Sequence, residues 1–126
     1  MRIYKLKKVA QFAKRERITD GNLIEAIARA MRGLVDAELG SGLIKQRVAR
    51  EGQGKSGGYR MLIALRSSQR AIFLFGFAKN DLGNIDPTQL RTLREAAGMW
   101  LEADEQKIAG AVEAGLLIEV HDGKKD

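Results

Sequence analysis

The sequence predicts an α+β fold. One antiparallel sheet, made of a short N-terminal strand and a three-stranded meander, is packed by a helical hairpin and followed by C-terminal helices. Three observations lead there. Apolar residues recur at helical spacing twice before residue 35, alternate or run unbroken through three short segments between residues 43 and 78, and return to helical spacing after Asp86-Pro87. At 126 residues the chain is long enough for one core and too short for two, so residues 1–126 are expected to form a single domain.

Each element has a local reason. Residues 3–6 form a short strand in which Ile3 and Lys5 alternate with Tyr4 and Leu6. Val9, Phe12 and Ala13 then fall on one side of a helix whose other side carries Lys7, Lys8, Lys14, Arg15 and Arg17. Thr19-Asp20 offers an N-cap for a second helix with Leu23, Ile24, Ile27, Met31 and Leu34 on its apolar side, ending near Gly33, and Glu25 can pair with Arg29 one turn on. Two successive helices joined by a tight turn make a hairpin that must cover something.

Gly40-Ser41-Gly42 marks a turn into a strand over residues 43–50. Ile44 and Val48 lie on one face of it, Lys45 and Arg47 on the other. Two cations two residues apart on one face either point into solvent or share an anion. Tyr59, Met61, Ile63 and Leu65 alternate with Arg60, Leu62, Ala64 and Arg66 in the next strand. Ser67-Ser68-Gln69 turns the chain into residues 71–78, which are apolar throughout, as in a strand covered on both faces. Asp86-Pro87-Thr88-Gln89 starts a helix with a capping box and proline at the first position, and Leu90, Leu93, Ala97, Trp100 and Leu101 give it an apolar stripe. A further helix spans residues 104–114 and stops at Gly115. Residues 116–120 add a short edge strand or simply pack, and the last five residues fray.

The net charge of +6 is unevenly spread: residues 1–85 hold 17 Lys/Arg against 7 Asp/Glu, whereas residues 86–126 hold 5 against 9. The basic part points to a polyanionic partner, because lysine and arginine replace the counterions condensed on a nucleic-acid backbone. The acidic extension, with its apolar stripe, is expected to pack against the sheet. There is no cysteine, which excludes disulfides, thiolate metal sites and thiol nucleophiles, and the one histidine, His121, sits in a polar tail. No apolar run approaches the ~20 residues of a membrane helix, and the basic start lacks the apolar core of a signal peptide. A cytoplasmic protein is expected.

The stretch Gly52-Gln53-Gly54-Lys55-Ser56-Gly57-Gly58-Tyr59-Arg60 concentrates the chemistry. Its glycines let the backbone pass close to a ligand, and it carries a lysine, an arginine and a tyrosine. Residues 49–56 fit the permissive form of a nucleoside-triphosphate loop, but such a loop needs a helix after it to hold the phosphates, and here the next pattern is a strand.

Leu39-Gly40-Ser41-Gly42-Leu43-Ile44-Lys45-Gln46-Arg47-Val48-Ala49, the glycine stretch through Arg60, and Gly76-Phe77-Ala78-Lys79-Asn80 together resemble the RelE/HigB family of bacterial type II toxins. The resemblance covers most of the chain. It implies a microbial-ribonuclease-like fold and a toxin that cuts messenger RNA in the ribosome without metal or cofactor. It also implies a cognate antitoxin, through which alone the toxin would meet operator DNA. In the implied reaction the 2′-hydroxyl attacks the neighbouring phosphate, leaving a cyclic phosphate and a 5′-hydroxyl.

Such a reaction needs a base, an acid and positive charge on the phosphorane. Without a usable histidine, acid and base fall to lysine, tyrosine, arginine or a carboxylate. An unperturbed lysine or tyrosine titrates near pH ~10, so a base role demands crowding by other cations. Lys45, Arg47, Lys55, Arg60 and Lys79 supply it. Arg60 is assigned to the transition-state charge and Lys55 or Lys79 to proton transfer. Lys45 and Arg47, with Gly54, Ser56, Gly57 and Asn80, are assigned to the RNA backbone. Tyr59 either stacks on a base or, given its place on the apolar face, packs in the core; Glu51 is a weaker base candidate. The tyrosine or histidine that some relatives carry near the end of the fold has no equivalent after Lys79. Two other readings compete: a toxin of the same fold that poisons DNA gyrase, as in the ParE branch, and a non-catalytic basic module that binds nucleic acid.

Overall fold

The computed structural model describes residues 1–49, 58–78 and 85–121. In chain order it forms β1 (Arg2–Leu6), α1 (Lys7–Glu16), α2 (Asp20–Met31), β2 (Ala37–Gly40), β3 (Leu43–Val48), β4 (Tyr59–Arg66), β5 (Arg70–Ala78), α3 (Pro87–Glu102), α4 (Glu105–Glu113) and β6 (Leu117–Glu119). The strands make one six-stranded sheet in the order β2-β3-β4-β5-β1-β6.

The expected meander is present: β3 pairs antiparallel with β4, and β4 with β5. The sheet as a whole is mixed, which corrects the antiparallel expectation, because β1 lies parallel to β5 with Ile3 opposite Ala71 and Lys5 opposite Phe73. Only neighbours joined by a hairpin must run antiparallel. The chain between β1 and β5 is long enough to return in either direction. The sheet is also wider than expected, since the approach to Gly40 pairs with β3 as β2, while β6 covers the outer edge of β1.

Local capping sets the helix starts. Thr19 accepts from the Asn22 N–H, and Asn22 accepts in return from the Thr19 N–H. Asp86 and Gln89 do the same ahead of Pro87, as their spacing predicts, and Asp104 caps α4. Glu25 and Arg29 pair at 2.9 Å. Arg29 is itself buried, and its guanidinium also donates to the Arg47 carbonyl at 2.5 Å, tying α2 to β3.

Two apolar layers arise from strand alternation. Ile44, Val48, Met61, Ile63 and Phe73 meet the α1–α2 hairpin on one face, while Leu43, Leu62, Ala64, Ile72 and Leu74 meet α3 and α4 on the other. The acidic C-terminal helices therefore pack on the sheet, as their stripe predicts. Arg66 and Arg70, at the hairpin end of β4 and β5, fasten the C-terminal end of α3 through the carbonyls of Leu101, Trp100 and Ala103. The N-terminal end of α3 lies toward the opposite end of the strands, where Ile85 and Leu90 join the same apolar layer.

Candidate nucleic-acid interface

At that opposite end, β3 and β4 bring two cations face to face. Arg47 and Arg60 are direct cross-strand partners, and Phe77 stands opposite Arg60 on β5. Alternation places Lys45 on the same face, opposite Leu62, which in turn faces Phe75. Like charges directly opposite one another repel, so this pairing persists only with a counter-charge. Asp36, one residue before β2, supplies it, with a carboxylate oxygen 3.4 Å from Arg47 Nε and the other 3.8 Å from Arg60 Nε.

The balance is incomplete. The Arg60 side chain is only 15% exposed, yet among the described residues its Nη1 has no hydrogen-bond partner; neither has Arg47 Nε, despite its distance to Asp36. Among the described residues, two guanidiniums against one carboxylate leave one positive charge, and two buried N–H donors are unspent. Buried donors without acceptors cost free energy that an incoming oxygen anion can recover. Lys45, half-buried beside them, has no ion-pair partner among the described residues.

A buried amide holds this arrangement. Gln46 is completely inaccessible and points to the opposite face from Arg47; its Nε2 donates to the carbonyls of Ala26 and Leu34, and its Oε1 accepts from the Asp36 N–H at 3.1 Å. The end of α2, the approach to β2 and the middle of β3 are thereby locked together. Gln46 was detectable in the sequence as the one polar residue between Ile44 and Val48 on an otherwise apolar strand face. Asp36 carried no such signal.

The tyrosine of the glycine stretch faces away from the arginines. Tyr59 is buried against the hairpin layer, its ring edge-on to Phe12 at 5.6 Å and its hydroxyl donating to Glu16 at 2.7 Å, so the ring is used in packing and is not presented for base stacking. Phe75, on the arginine face, is the exposed aromatic instead, 38% accessible and 5.8 Å from the ring of Phe77. This departs from the expectation that residues 71–78 are covered on both faces. Along the edge of β5, pairing with β1 ends at Phe73, so Phe75 lies beyond the last pair on that edge. A groove of about 480 Å³ opens along the rest of β5, lined by Phe12, Arg15, Phe75, Phe77 and Gln89 among others.

Gly58 enters β4 with no room for a side chain: a Cβ there would stand 2.3 Å from the Val48 carbonyl oxygen. Close backbone approach, and no special φ, is what requires glycine at this position. Lys55, Lys79, Gly54, Ser56, Gly57, Asn80 and Glu51 lie outside the described residues. By connectivity, residues 50–57 join β3 to β4 and residues 79–84 come after Ala78, which pairs with Tyr59, so both segments attach at the arginine end of the sheet. The glycine stretch leads into strand β4, so the helix a triphosphate loop requires is absent there.

Among the described residues, no group of three or more His, Cys, Asp or Glu is placed to hold a metal ion, and no helix is long and apolar enough to cross a membrane. Compared with known families, residues 1–120 match the model described as RelE toxin of RelE / RelB toxin-antitoxin system. No individually curated protein matches the chain at a significant level.

Proposed function

The chain belongs to the RelE toxin family, and on that premise we propose that it is an endoribonuclease that cuts messenger RNA in the ribosome and is held in check by a cognate antitoxin. The observation that carries the reading is the Arg47–Arg60 pair, with its excess positive charge and unspent buried donors.

In this reading the scissile phosphate sits against Arg60, with Arg47 and Lys45 along the adjoining backbone. The 2′-oxygen attacks phosphorus, a base accepts its proton, and the bond to the 5′-oxygen breaks as an acid protonates it. The products are a 2′,3′-cyclic phosphate and a 5′-hydroxyl. Arg60, whose side chain is 15% exposed, meets the charge that grows on the phosphorane oxygens from a partly shielded position, where such donors are stronger than in water. Lys55 and Lys79 are the candidates for proton transfer, with Gly54, Ser56, Gly57 and Asn80 near the RNA backbone. Phe75 takes the stacking role in place of Tyr59, since a base can lie on its exposed ring.

The test is induced expression of the wild type beside Arg60→Ala, with 5′ ends mapped on translated and untranslated transcripts. Cuts confined to translated messages and reduced about 100-fold by the substitution are expected. Growth arrest without cuts would transfer the reading to a gyrase poison, and no arrest would leave a nucleic-acid-binding module.

A further inference from the structure

We infer that Asp36 is a built-in competitor of the RNA phosphate, a positioning residue that keeps the arginine pair assembled when empty and holds down its affinity for an anion when filled. The inference rests on the phosphate-binding role proposed for Arg47 and Arg60. It comes from a mismatch between charge and hydrogen bonding.

A carboxylate placed to serve two arginines for stability alone would be expected to engage them with short, bidentate bonds. Asp36 stands 3.4 and 3.8 Å from the two Nε atoms, and among the described residues the donors Arg47 Nε and Arg60 Nη1 stay unspent. Its side chain is 20% exposed, so it can swing toward solvent, whereas its backbone is pinned by the bond from its N–H to the buried Gln46. A fixed Cα with an under-engaged carboxylate suits a group that yields to a ligand and returns. A phosphodiester brings one negative charge and two free oxygens, enough to neutralise the remaining cation and to use the donors that Asp36 leaves. The cost of crowding it against Asp36 lowers affinity, which favours release and discourages capture of the protein by free nucleic acid.

The experiment measures binding of a fluorescent single-stranded oligodeoxynucleotide, which lacks the 2′-hydroxyl and cannot be cut, to the full chain by anisotropy. Asp36→Asn is expected to bind on the order of tenfold tighter, the scale of removing one like charge a few ångströms from the ligand in a partly shielded site. Asp36→Glu, which restores the charge, should return toward wild type. Glu38→Gln makes the same change of net charge at an exposed position on β2 and should leave affinity near wild type. The gain should vanish when Asp36→Asn is combined with Arg60→Ala. Unchanged or weaker binding by Asp36→Asn, or an equal gain from Glu38→Gln, overturns the inference; if Asp36→Asn fails to fold, Asp36→Ser is read by the same criteria. Message cleavage is a separate readout: tighter binding in a protein that cuts no message would sustain the role of Asp36 and sink the nuclease reading, and cleavage without the gain would do the reverse.

Discussion

Replacing Gln46 by leucine should destabilise the protein by about 3 kcal/mol, although the two side chains are close in size. Because volume is nearly conserved, little of the effect comes from a cavity. The loss is polar and can be taken bond by bond. The Asp36 N–H loses its acceptor at 3.1 Å in a part-buried setting and accounts for about 1–2 kcal/mol. The Ala26 and Leu34 carbonyls lose donors at 2.9 and 3.0 Å. A carbonyl has a second lone pair, and Ala26 lies within α2, so each is assigned about 0.5–1 kcal/mol. For a chain of 126 residues, the sum corresponds to a melting temperature lower by about 12 °C. Urea unfolding of both proteins at pH 7, monitored by far-ultraviolet circular dichroism, measures it. A loss under about 1 kcal/mol at an unchanged denaturant slope would refute the reasoning, since it would mean that the three backbone groups do not depend on the amide.

Gly58→Ala should cost about 2 kcal/mol or more, because its Cβ would meet the Val48 carbonyl oxygen at 2.3 Å and force β3 and β4 apart beside Arg47 and Arg60; an unchanged melting temperature would count against close approach as the reason for glycine. Burial raises the Tyr4 phenol above its ordinary value of 10.0, so its ionisation favours the unfolded chain. The contribution is complete below pH ~10 and is lost as pH climbs through the raised folded-state value. Urea midpoints at pH 9 and 11 should therefore fall further for the wild type than for Tyr4→Phe, and equal falls would exclude Tyr4 as the cause.

Much of the fold was legible in the chain because its causes are local. Capping residues stand within four positions of what they cap, as at Asp86 and Gln89, and apolar spacing alone separates the hairpin face from the opposite face of β3 and β4. The side of the sheet carrying Lys45, Arg47 and Arg60 comes from the same alternation. Tyr59 belonged to the apolar row by that rule, and the structure keeps it there, packed on Phe12.

Register and coverage are not contained in alternation. That Arg47 stands opposite Arg60 depends on how β3 and β4 align across a ten-residue connection. That β1 enters parallel beside β5, pairing as far as Phe73, and that Phe75 is left exposed, depend on how segments some 70 residues apart are packed together. Asp36 and Gln46 acquire their roles only when the end of α2 is laid against β3, because a carboxylate or amide has no periodicity of its own and its meaning is set by what tertiary packing places beside it. The sequence by itself determined the helices, the meander strands and which face of each is apolar, since those rest on contacts within a few residues; only the tertiary structure decided that β2 and β6 extend the sheet, and that two arginines, one carboxylate and one buried amide make a single site, since their energies arise from charges and hydrogen bonds between segments distant in the chain.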